Sequence, residues 1–233
     1  MAEKVVSQRF GADSQDHKDM LGAFVRHGVT RRQCETEVLF QIIAGSDTTA
    51  TAIRGTMLYL TTAPHAYFRL QKEIDEGIAA GSVSAPVRAD EAKRLPYLQA
   101  VIYEGLRLQI PFSGLLMKRA PPEGDTFEGV FIPGGTRIGH NTRALQRDLE
   151  VFGPDVELFR PERWLGVGAE RRSLMANTVE LVFGYGRWGC AGKPVAFLEL
   201  NKVYVEVCSP LSLTPMVFLG SLRSAPGGDA VRC

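Results

Sequence analysis

Several groups of residues have types and spacings that can do chemistry. The first is the run Phe183-Gly-Tyr-Gly-Arg-Trp-Gly-Cys190-Ala-Gly192. A single cysteine ends a loop that contains Gly184, Gly186 and Gly189. Glycines let the backbone take conformations closed to other residues and let a flat ligand approach closely. The pattern from Lys193 to Val207 reads as an amphipathic helix, which sets Cys190 near the positive end of a helix dipole and favours its thiolate. A thiolate so held is a ligand or a nucleophile; a buried structural cysteine beside a glycine turn is the plainer alternative. The second group is Ala44-Gly-Ser-Asp-Thr-Thr49, where Asp47 and Thr48 sit in the middle of an otherwise apolar helical pattern. Ala44, Asp47, Thr48 and Thr51 share one small, polar helix face, suited to a ligand and a few waters. The third is Glu104 and Arg107, neighbours on one helix face at i, i+3. If buried, that pair needs further partners to offset desolvation, and Arg163 in Phe159-Arg-Pro-Glu-Arg-Trp164 is a candidate.

Composition narrows the classes. The chain has 233 residues, 45% of them hydrophobic, enough for a sizeable core. Its 27 basic and 26 acidic residues leave a net charge of +1, which gives no electrostatic case for nucleic acid. Cys34, Cys190, Cys208 and Cys233 form no C-x-x-C pair and no zinc-type cluster, so unpaired thiols in a reducing compartment are expected. No apolar run is long and uncharged enough to span a membrane; Val38 to Leu60 comes nearest and carries Asp47 and Arg54.

The elements that must position these residues follow from periodicity and punctuation. Residues 1–17 read as a polar, frayed lead-in, and a short helix is expected from Lys18 to Arg26. Thr30 and Gln33 have capping-box spacing, opening a long helix to about Thr62 through Leu39, Ile42, Ile43, Ile53, Met57 and Leu60. Gly45 should weaken or kink its middle, with buried flanks on both sides. Pro64 and Gly81 bracket another helix, with Phe68, Leu70, Ile74 and Ile78 as its stripe. Asp90 is a cap for a short turn, and Pro96 opens a helix to Leu108. Val130–Ile132 and Thr136–Gly139 read as short strands around a turn, with another at Leu115–Arg119. From Asn141 to the cysteine loop an irregular coil with a helical turn or two is expected. The tail from Cys208 to Cys233 looks turn-rich or disordered.

Four motifs stand in order: Ala44-Gly-x-Asp-Thr-Thr49, Glu104-x-x-Arg107, Phe159-x-Pro-Glu-Arg-Trp164 and Phe183-x-x-Gly186-(x3)-Cys190-x-Gly192. Together they resemble the haem-thiolate monooxygenases, the cytochrome P450 family. The run Gly192 to Lys202 resembles filamentous-fungal, pisatin demethylase-like members. The resemblance implies a mainly α fold with small β-sheets: the C-terminal part of the family fold, with a long central helix and a Cys loop before the last helix. It covers 18–207 as a partial domain and leaves 208–233 as an aberrant tail, as expected of a truncated or mis-spliced product. It further implies haem b, with Cys190 as axial thiolate on the iron and Phe183, Gly186 and Gly192 around it. The family usually has a basic propionate contact two residues before the cysteine; here that position is Trp188, so Arg187, the Trp188 indole N–H or Lys118 is the expected substitute. Asp47 and Thr48 would relay protons to bound oxygen, while Glu104, Arg107 and Arg163 would form a structural network. A reductase fed by NADPH, O2 and a small apolar organic substrate would be the partners, at the cytosolic face of the endoplasmic reticulum for anchored members or in the cytoplasm for a chain without an anchor. The competing expectations are a non-catalytic fragment with weak or no haem binding, and an O2-independent isomerase or dehydratase.

Overall fold

Thr30 starts the longest helix of the chain, and its cap is the one the spacing predicts: its hydroxyl accepts from the Gln33 N–H, and the Gln33 side chain accepts from the Thr30 N–H. In the computed structural model, which describes residues 2–11 and 14–209, this helix, α3, spans Arg31–Thr62. Before it come α1 (Ala2–Arg9) and α2 (Met20–Arg26). After it come α4 (Pro64–Ala79), α5 (Ala89–Ala92) and α6 (Pro96–Leu108). Four short strands follow: β1 (Lys118–Arg119), β2 (Asp125–Phe127), β3 (Val130–Ile132) and β4 (Arg137–Ile138). The chain continues with α7 (Thr142–Leu145), α8 (Leu149–Phe152), a 3-10 turn at Pro161–Trp164, α9 (Ala169–Glu180) and α10 (Lys193–Cys208). The fold is mainly α with two small antiparallel sheets.

The centre is α6. Its residues from Leu98 to Leu108 are almost all buried, and α3, α4, α9 and α10 pack around it. No side chain of its own caps its N-terminus. Glu73 of α4 does so instead, accepting from the N–H groups of Tyr97 at 2.8 Å and Leu98 at 2.9 Å. Burial of Glu73 holds its carboxyl above the usual range despite these donors. Helices α3 and α6 cross at Gly105, where any Cβ would collide with the Thr56 hydroxyl.

Four expectations need correction. The lead-in 1–17 is not frayed throughout: α1 packs on α3, and its single buried residue, Val6, joins Leu21 and Cys34 in a small second core. One buried residue leaves no periodic signal to read. The coil expected after residue 166 contains α9, a polar helix whose buried residues are Met175 and Val179. The strands exist, but their partners differ. Strand β3 pairs with β2 across Glu128 and Gly129, and β4 pairs with β1. Glu128 and Gly129 both have positive φ, 49° and 81°, as a type I′ hairpin requires, but glutamate is an uncommon signal for it. Finally, α3 is not buried on both sides of Gly45. Leu39, Phe40, Ile42 and Ile43 are exposed, while Ala52, Thr56 and Leu60 are buried. The helix runs unbroken through Gly45. Of the expected tail, Cys208 ends α10 and is buried; residues 210–233 lie outside the described residues.

Glu104 and Arg107 are fully buried, 0% exposed. The Glu104 carboxylate accepts from Arg107 Nε and Nη2 at 2.9 Å each, Arg163 Nε at 2.8 Å, the Arg160 N–H at 3.0 Å and Trp164 Nε1 at 3.0 Å. Arg107 also donates to the carbonyls of Gln146, Val156 and Leu158. Arg163 donates to those of Phe152, Asp155 and Leu158 and to the Asp155 carboxylate. Every N–H of both guanidinium groups therefore has a partner. Two carboxylates face the two buried guanidiniums, and the half-exposed Arg160 pairs with the other oxygen of Asp155 at 2.8 Å. Burial works against ionisation of Asp155, but the Arg163 hydrogen bond and the charges of Arg163 and Arg160 together outweigh it and hold that carboxyl below its usual value.

Glu104→Ala strands two buried guanidiniums, a loss of about 3–5 kcal/mol for a broken buried pair. A denaturant titration should show it as a large drop in midpoint, with little change for Arg94→Ala at the surface. A second prediction concerns acid. The Ser84 hydroxyl and N–H, and then the Arg88 N–H, hold the Glu91 carboxyl down at about 2, from 4.5. A depressed carboxyl contributes stability above its unfolded value and loses it as pH falls toward the folded one. Glu91→Gln should therefore be less stable than the parent at pH 7, with the gap closing between pH 4.5 and about 2 in thermal melts.

Candidate functional site

The loop between α9 and α10 is shaped by its glycines. Gly184 has φ 76°, and a Cβ there would lie 2.8 Å from the Trp188 carbonyl oxygen, so a side chain is excluded twice over. Gly186, with φ 59°, opens a 3-10 turn through Trp188 and has no neighbour that a Cβ would meet. Gly189 and Gly192 take ordinary negative φ, and a Cβ on Gly192 would meet Cys190 Sγ at a comfortable 3.6 Å. The loop closes where the Cys190 N–H donates to the Phe183 carbonyl at 2.7 Å. Immediately after, Gly192 caps α10, and Pro194 occupies its first turn.

Cys190 is exposed, whereas Cys34 and Cys208 are buried. Burial pushes the Cys208 thiol up to about 12, which removes it as a ready thiolate. Among the described residues no cluster of three or more His, Cys, Asp or Glu could hold a metal ion. Around the thiol, residues 185–191 are all exposed. Trp188 carries two cations: Lys118 Nζ lies 5.2 Å from its ring centroid and the Arg187 guanidinium carbon 4.5 Å. The structure thus brings Lys118 of β1 to the loop, together with Arg187. Nearby on the chain, Phe112, Leu115 and Met117 are exposed apolar residues preceding β1, and Leu116 holds a positive φ of 46°.

Phe183 is the first residue of the loop. It is half-buried and packs on Phe197 of α10, with ring centroids 5.5 Å apart. Asp47 is exposed on α3. The Thr48 hydroxyl is partly buried and donates to the Ala44 carbonyl at 2.7 Å. Among the described residues no hydrogen bond or ion pair joins Asp47 or Thr48 to the Cys190 loop. The two helices meet further along, where the Tyr204 hydroxyl of α10 donates to the Ala52 carbonyl of α3 at 3.3 Å. Ala52 is one turn from Thr48 on the same face.

An exposed thiol, an open glycine approach, apolar neighbours and two converging cations fit one face of a flat, apolar, dianionic group such as haem. Glu180, Lys193 and Tyr103, which brace the loop from behind, were not singled out from the sequence. Tyr103 and Glu180 meet across 77 positions of chain, which no local pattern reports. Asp155 was missed for a similar reason; only its place in a Gly-Pro-Asp turn near Arg163 hints at it.

Comparison with known proteins identifies the family. The family profile for Cytochrome P450 matches residues 2–216. The chain is 59% identical over 205 residues to Cytochrome P450 monooxygenase ABA1 of Pyricularia oryzae, covering 88% of this chain and 40% of that protein. It is 46% identical over 213 residues to Cytochrome P450 monooxygenase aba1 of Botryotinia fuckeliana, covering 91% and 42%. Against Cytochrome P450 monooxygenase ACRTS1 of Alternaria alternata it is 40% identical over 179 residues, covering 77% and 47%. The chain therefore spans roughly two fifths of the length of these first two relatives. With a profile that matches nearly its whole length and relatives this similar, the chain belongs to the cytochrome P450 family.

Proposed function

We propose that this chain carries the thiolate side of a haem-dependent monooxygenase acting on a small apolar organic substrate. The observation that carries the reading is Cys190: among the described residues it is the exposed cysteine, on a glycine loop that leads directly into α10. Cys190 would hold the iron of haem b through its thiolate. Gly186 would leave the approach open, and Lys118 and Arg187 would meet the propionates in place of the usual basic residue, where Trp188 stands. Gly192 would end the loop so that the thiol precedes the helix. Bound there, haem supplies the activation of dioxygen, with the balance RH + O2 + two electrons + two protons giving ROH and water.

The chain's own residues handle protons and position. Thr48 gives its hydroxyl proton to the Ala44 carbonyl, which leaves its oxygen free to accept from a water. Asp47, beside it and exposed, can exchange protons with solvent and pass them to that water. Glu104, Arg107 and Arg163 have their polar atoms engaged with one another, with Asp155, with Trp164 and with backbone carbonyls, and their role is structural. Electrons would come from a reductase fed by NADPH, since the chain has no nicotinamide or flavin fingerprint of its own. No helix of the described residues is long and apolar enough to cross a membrane; the cytosolic face of the endoplasmic reticulum is the location we propose for the whole protein. The exposed Phe112 and Leu115 favour an apolar substrate.

The purified chain, loaded with haem, reduced and exposed to carbon monoxide, should show the Soret shift of thiolate ligation. Cys190→Ala should lose it, while Cys34→Ala and Cys208→Ala keep it. Absence from the parent protein, or persistence in Cys190→Ala, would reject the assignment. In turnover with a reductase, Thr48→Ala should keep consuming oxygen while product falls and peroxide rises, measured by electrode and peroxide assay; unchanged coupling would remove Thr48 from the relay.

A further inference from the structure

The Cys190 loop has little packing of its own, yet its two stems are held together by one side chain. Lys193, the first residue of α10, forms an ion pair with Glu180, the last residue of α9. The same ammonium lies 5.9 Å from the ring centroid of Phe183, the first residue of the loop. A single lysine on the outgoing stem therefore grips two residues on the incoming one. Glu180 is held in turn from α6, where the Tyr103 hydroxyl donates to its Oε1 at 2.7 Å. Burial, with the Glu180 hydrogen bond second, raises the Tyr103 phenol well above its ordinary value, so it stays a donor. Tyr103 is adjacent in sequence to Glu104. Its ring also packs on Trp164 at 5.1 Å and on Phe197 at 5.7 Å, and Phe197 packs on Phe183. Polar and aromatic contacts thus run in parallel from the buried Glu104 cluster to the mouth of the loop. The ion pair borders an open cleft of about 460 Å³ lined by Lys93, Gln99 and Asn201 among others, so water reaches it from one side.

We propose that Glu180 and Lys193 are positioning residues for Cys190: their ion pair, steadied by Tyr103, fixes the separation of the loop stems and so the place of the sulfur. This rests on Cys190 being the haem ligand. Glu180 touches no reacting atom; it acts through Lys193 and the loop. With the clamp cut, the hydrogen bond from the Cys190 N–H to the Phe183 carbonyl should open more often.

The test has two arms on the full chain. Hydrogen exchange followed by mass spectrometry on the haem-free protein should show segment 183–192 exchanging about tenfold faster in Glu180→Gln, the scale of losing one charged hydrogen bond. Segment 96–108 should be unchanged. In the haem-loaded protein the same variant should lose part of the thiolate-type carbon monoxide band. Tyr103→Phe, which keeps the ring, should give a smaller version of both effects should Glu180→Gln fold poorly. Unchanged loop exchange, or equal acceleration in segment 96–108, would overturn the clamp. A parent protein without any thiolate band, alongside faster loop exchange in the variant, would reject the ligand assignment and leave the clamp standing.

Discussion

A carboxylate with no access to water holds this structure together. Glu104 is buried among two guanidiniums, an indole and a backbone N–H. A charge in that position is tolerable only when each lone pair is used and the surroundings are neutral overall. Both conditions are met in the buried part of the cluster, where Asp155 supplies the second negative charge and reaches the half-exposed Arg160 with its other oxygen. The cost of burial is offset by the geometry it imposes. Arg107 and Arg163 gather the carbonyls of Phe152, Asp155, Val156 and Leu158, so a stretch with little regular secondary structure is pinned to α6. A long irregular segment in a compact domain needs a reason of this kind.

The thiol loop depends on the same helix at one remove. Its glycines allow the turn, but they contribute no packing, and the exposed residues 185–191 contribute little. What orients the loop comes from its stems: Phe183 against Phe197, and α10 against α3 and α6. Cys190 is therefore placed by tertiary contacts on residues it does not touch, and its exposure is a property of the loop's shape. The division is economical: one buried ionic cluster provides rigidity, and the site proper stays open to a ligand.

Much of this was legible in the chain. Thr30 with Gln33, and the prolines at 64 and 96, mark helix starts by backbone chemistry that neighbours do not override. The stripe in α6 is dense enough to identify the central helix, and the Glu104–Arg107 pairing with Arg163 follows from asking how a charge on that stripe could be satisfied. The Cys190 loop is readable because glycine, cysteine and a following helix coincide. Other features left no local trace. Val6, and Met175 with Val179, bury too few side chains to produce a period, so α1 and α9 were hidden. Glu128 adopts a conformation more typical of asparagine, so the β2–β3 hairpin was missed. The exposed apolar residues 39–43 show the converse: a helical stripe reports which residues prefer to be covered, and not what covers them. Glu180, Lys193 and Tyr103 became connected only once α6, α9 and α10 were in place.

Trp164 and Trp188 are the chain's two tryptophans, and they sit at opposite ends of this arrangement. Trp164 is 4% exposed and hydrogen-bonded to the buried carboxylate; Trp188 is 56% exposed beside the thiol and flanked by two cations. Native emission is thus divided between a shielded indole and a solvent-facing one. Whatever settles on the Cys190 loop alters the long-wavelength component first, while the short-wavelength component follows the integrity of the ionic core. The molecule carries separate optical signals for its foundation and its working surface.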